Sequence, residues 1–64
     1  MTQNDIARKH LIKVLDKYGI KLKHIATELG WNYVNMVKFK NGNMEYSLEK
    51  LRELDNFLSK YNLD

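Results

Sequence analysis

The stretch from Ile25 to Gly42 constrains this chain most, because its residue pattern requires two short helices joined by a tight turn. Ile25, Ala26 and Leu29 stand at helical spacing, and Gly30 then offers the left-handed conformation that ends a helix. Asn32 is placed to cap a second helix by accepting from the backbone N–H of Val34 or Asn35. Trp31 before that cap and Met36 four residues after it have the spacing of a hydrophobic staple, which fixes the entry angle of the chain. Met36 and Phe39 continue the buried stripe, and Asn41-Gly42 closes the second helix.

The informative residues are those left over on this second helix. With Met36 and Phe39 inward, a rotation of about 100° per residue points Val34, Val37, Lys38 and Asn41 away from the core. Tyr33 and Asn35 fall on the flanks.

On either side of the stretch, the apolar spacing is again helical. Ile6, Ala7, Leu11, Val14, Leu15 and Tyr18 predict a first helix over about 5–18, capped by Thr2, Asn4 or Asp5 and ended by Gly19. Arg8, Lys9, Lys13 and Lys17 are expected on its outer face. The second helix is expected over about 21–29 and the third over 33–40. Met44, Glu45 and Tyr46 read as a short connector. Ser47 is a good N-cap, Glu49 suits the positive end of the helix dipole, and Leu48, Leu51, Leu54 and Leu58 form the stripe of a fourth helix over 48–61. Nothing alternates with the period of a strand, and there is no proline. The expectation is a single all-α domain over 1–64 with four helices.

Composition narrows the function. The chain has no cysteine, which removes disulfides and thiolate metal sites and suits a reducing cytoplasm. Charges recur too often for a membrane span or signal peptide, so a soluble, cytoplasmic protein is expected. The formal charge is +3, but residues 1–44 carry eight Lys/Arg against three acids, +5, and residues 45–64 carry three against five, −2. The basic part contains the two-helix stretch, and a polyanion is its natural partner; the plain alternative is lysines that solvate exposed faces.

Taken together, Ile25-Ala26, Leu29-Gly30, Asn32, Met36, Phe39, Asn41-Gly42, Ser47-Leu48, Leu51, Leu54 and Leu58 resemble the Cro/repressor family of helix-turn-helix regulators, also called the XRE family. The resemblance runs from residue 20 to 58, and it implies a compact four-helix fold of the lambda-repressor-like class. It also implies that residues 32–40 are a recognition helix entering the major groove of double-stranded DNA. Tyr33, Val34 and Lys38 match positions that touch bases, with Val37 beside them. Asn32, Asn35, Lys40 and Asn41 match positions that meet phosphate or hold the turn. Where the family commonly opens its second helix with Ser or Thr followed by Gln, this chain has Lys21 and Leu22. Lys21 and Lys23 then offer point charges to phosphate in place of a cap. Asp55 stands where the family prefers a small buried residue.

Other candidate chemistry is thin. His10 and His24 have no ligand-spaced partner, Ser47 is a cap and Ser59 a surface residue, and each of the three glycines ends a helix. Neither a metal site, a bound cofactor nor enzyme activity is expected. Phe57 and Tyr61, with Leu63 beyond, lie off the leucine stripe and either close the core over the first helix or form a symmetric dimer contact. A dimer would present two recognition helices one DNA turn apart and favour an inverted repeat. Two functions follow as expectations. One is a sequence-specific DNA-binding repressor, as in phage regulators; the other is an inhibitor that binds a protein through an apolar Tyr33/Val34/Val37 face.

Overall fold

The computed structural model describes residues 2–61, and these form four helices. They are α1 (Gln3–Tyr18), α2 (Leu22–Leu29), α3 (Tyr33–Lys40) and α4 (Leu48–Leu58). Among the described residues there is no strand, and no helix is long and apolar enough to cross a membrane.

Each helix contributes residues three or four apart to one core. Leu11 and Val14 come from α1, Ile25 and Ala26 from α2, Met36 and Phe39 from α3, and Leu51, Leu54 and Leu58 from α4. This is the inward stripe that helical periodicity requires. Helix α1 packs against both α3 and α4, and α2 packs against α3. Ala7, Leu15, Ile20, Leu22, Leu29, Trp31, Tyr46, Phe57 and Tyr61 are half-buried around this centre.

Local signals set the ends of the helices. Helix α1 starts earlier than its apolar stripe suggests, because Thr2 makes a reciprocal cap with Asp5. The Asp5 N–H donates to Thr2 Oγ1 at 3.1 Å and the Thr2 N–H to Asp5 Oδ2 at 3.4 Å. That Thr2 N–H is the main influence holding the Asp5 carboxyl below its usual range. The stability gained is therefore present above the ordinary carboxylate pKa and lost as pH falls through the lowered one. Helix α2 ends where Gly30, at φ +71°, lets the Trp31 N–H reach back to the Ala26 carbonyl at 2.9 Å. Helix α4 ends at Leu58 and not at 61: the Ser59 hydroxyl donates to the Asn56 carbonyl at 2.7 Å, and the Tyr61 N–H closes a tighter turn on the Leu58 carbonyl at 3.0 Å.

Three expected core positions differ. Ile6 and Leu48 share the apolar stripes of their helices but are 51% and 63% exposed, since each sits in a first turn that overhangs the packed centre. Tyr18, at the last turn of α1, is likewise exposed and meets the Tyr61 ring at a tilt of 56°, with centroids 5.1 Å apart.

Candidate nucleic-acid interface

The site predicted from the sequence is the outer side of α3 and the start of α2. Helix α3 is held at both ends. Asn32 caps its N-terminus, its side-chain oxygen accepting from the Asn35 N–H at 3.1 Å. At its C-terminus the Asn41 N–H donates to Val37 O at 3.0 Å and the Asn43 N–H to Lys38 O at 2.8 Å. Between these ends Met36 and Phe39 are fully buried.

The opposite side faces outward. Tyr33 is 44% and Val34 57% exposed, and Asn35, Lys38 and Asn41 are exposed as well. Val37 departs from the expected outward set. It is half-buried. The apolar outer face is therefore chiefly Tyr33 and Val34. Lys40 is also half-buried.

At the start of α2, Lys21 is exposed and holds the N-cap position without a side-chain cap bond. Lys23 is exposed in the first turn of the helix. Among the described residues, no ion pair engages Lys21, Lys23, Lys38 or Lys40. Of the polar side chains predicted here, Asn32 has its oxygen committed to the cap, which leaves its amide N–H groups to donate outward.

The remaining predicted residues lie elsewhere. Phe57 and Tyr61 are half-buried against the core, with ring centroids 6.1 Å apart, and Tyr61 also meets Tyr18. Much of their apolar surface is thus spent within the chain. Leu63 lies outside the described residues. His10 sits with its Nδ1 3.4 Å from Asp55 Oδ1, which links α1 to α4, and His24 Nε2 lies 3.7 Å from Glu28. A groove of about 530 Å³ beside the His10–Asp55 pair runs between α1 and α4, lined in part by Ile6, Ala7, Leu48 and Arg52, and includes no residue of α2 or α3.

Two residues that support the site escaped the sequence reading. Arg8, expected on the outer face of α1, is turned inward and donates to the carbonyls of Phe39 and Met44 while pairing with Asp5 at 2.8 Å. Tyr46, expected as mere connector, has its ring 4.9 Å from Trp31 and 4.8 Å from Phe39. Asn4 holds its backbone on both sides, donating to Tyr46 O at 3.2 Å and accepting from Tyr46 N–H at 2.8 Å. Compared with protein families, curated proteins and solved structures, the chain matches none.

Proposed function

We propose that this chain is a small sequence-specific DNA-binding protein of the lambda-repressor-like helix-turn-helix class, acting as a transcriptional repressor with α3 in the major groove. The observation that carries the reading is the outer face of α3. A helix capped at one end and tied at the other turns Tyr33, Val34 and Lys38 to solvent, beside lysines that no acid neutralises among the described residues.

The chemistry of that face suits a base edge. Lys38 can donate to guanine O6 or N7, and the Val34 methyls can pack on a thymine methyl. Tyr33 and the rim of Val37 extend the contact along the groove. Lys21, Lys23 and Lys40 supply charge to phosphates, and Asn32, Asn35 and Asn41 supply side-chain amides. These contacts position the domain, while Val34 and Lys38 read sequence. Bound to an operator across a promoter, such a protein represses by occlusion. A pair of copies in contact through Phe57 and Tyr61 would favour an inverted repeat, with half-sites about 34 Å apart.

The exposed Tyr33 and Val34 also favour a second reading, in which α3 docks on a protein that it inhibits. Selection from random duplexes at near-physiological salt separates the two. Enrichment of a short motif supports the repressor. An absence of enrichment by folded protein, with a partner captured by wild type and lost from a Val34→Lys/Val37→Lys variant, supports the inhibitor. On the selected duplex, Lys38→Ala should cost roughly 1–3 kcal/mol and relax one base position, whereas Lys21→Ala weakens all sequences alike. Equal losses for Lys38→Ala on operator and random DNA would remove it from the base-reading set.

A further inference from the structure

The guanidinium of Arg8 stands at the carbonyl end of α3. Its Nε donates to the Phe39 carbonyl, its Nη2 to the Met44 carbonyl at 3.2 Å, and its Nη1 to Asp5 Oδ1 at 2.8 Å. The same group lies over the Phe39 ring, 4.9 Å from its centroid. The side chain is only 15% exposed, so this cation is withdrawn from solvent and from any phosphate outside.

Three donors in one rigid plane are satisfied in three directions, an arrangement that a lysine ammonium on a flexible stem does not reproduce. Phe39 directly follows Lys38, and its carbonyl also accepts from the Gly42 N–H at 3.1 Å. Asn4 adds the second hold, at Tyr46. The first two turns of α1 therefore grip residues 39, 44 and 46, and the reciprocal cap of Thr2 on Asp5 fixes the grip in turn.

We infer that Arg8 is a positioning residue for α3: anchored by Asp5, it sets the angle at which Tyr33, Val34 and Lys38 meet their partner. The inference rests on the DNA reading for its functional consequence, though the positioning itself is independent of what α3 binds. Base recognition needs side chains placed to a fraction of an ångström, whereas non-specific attraction to phosphates needs only charge. A loosened α3 therefore loses discrimination before it loses affinity.

The test is the ratio of affinities for the selected duplex and for a random duplex at one salt concentration, in wild type and Arg8→Lys. The lysine keeps the charge, so binding to random DNA stays within about twofold, while the ratio falls roughly tenfold, the cost of one misplaced base contact. A purely structural role would lower stability and leave the ratio of the folded protein unchanged, and that result overturns the inference. Should Arg8→Lys not fold, Asp5→Asn serves instead; it leaves the bonds to Phe39 and Met44 and is expected to lower the ratio roughly threefold by loosening their anchor. If wild type binds every duplex alike, the DNA reading fails by itself. Backbone amide shifts then decide the positioning: changes in Arg8→Lys centred on Lys38–Asn43 support it, and their absence there overturns it.

Discussion

Tyr46 shows how a single residue can be well packed and still cost stability. Its ring fills the space between Trp31 and Phe39, but its hydroxyl is buried without a hydrogen-bond partner among the described residues. An unpaired buried hydroxyl gives up its bonds to water and gains nothing in return. Tyr46→Phe keeps the ring and removes the orphan, so stability should hold or rise by up to about 1 kcal/mol in urea denaturation. The pH dependence gives the same residue a second signature. Burial pushes the Tyr46 phenol above its ordinary value of 10.0, so the folded state retains a proton that the unfolded chain releases. Its contribution is then full below that ordinary value and declines as pH rises through the raised one. The alkaline loss of stability should be shallower in Tyr46→Phe than in wild type. An equal alkaline loss in both would show that other groups cause it.

Among the elements, α2 has the weakest start. Thr2, Asn32 and Ser47 each accept a backbone N–H at the head of their helices, whereas Lys21 at the same position accepts none. Lys21→Ser should supply the missing acceptor and raise stability by about 0.5–1 kcal/mol, measured by thermal melting. If Lys21 also neutralises a phosphate, the same change lowers DNA affinity on all sequences and reduces the salt slope by about 1. A gain in stability with unaltered DNA binding would leave Lys21 a solvated lysine. The caps and stripes behind this contrast were legible in the sequence because they are local: Asn32 and Ser47 lie within one turn of the N–H groups they accept from, and the buried leucines repeat every three or four residues. The extent of α3 and its exposed Tyr33, Val34 and Lys38 were legible for the same reason. Arg8 and Tyr46 were not. The backbone groups that Arg8 bonds and the Asn4 side chain that holds Tyr46 lie 31 to 42 residues away, and a periodic pattern on α1 marks Arg8 as outward-facing whatever the connector does above it. Ile6 and Leu48 failed in the opposite sense: periodicity gives the side of a helix that faces the core, but not whether the core extends as far as its first turn.

At the scale of the whole molecule, charge and size set what can be read from binding to a polyanion. The described chain spans only 25 × 25 × 19 Å, so one copy covers little more than a single groove face. Recognition of a long operator would require two. Of Phe57 and Tyr61, the residues proposed to join them, Tyr61 is partly spent on Tyr18 of α1, which leaves a small surface for any such contact. Salt dependence counts the copies directly. Each phosphate neutralised contributes about −0.9 to the slope of log K against log salt, so Lys21, Lys23 and Lys40 of one domain predict about −3, and two domains about −5. Titration of a selected duplex between about 50 and 200 mM salt distinguishes these values, and sedimentation of the free protein shows whether the pair exists beforehand. A steep slope with a monomeric free protein means that the operator assembles the dimer. A slope near −3 on an inverted repeat would mean that the halves bind independently. A slope close to zero would remove phosphate contact altogether, leaving Tyr33 and Val34 as the face offered to a protein.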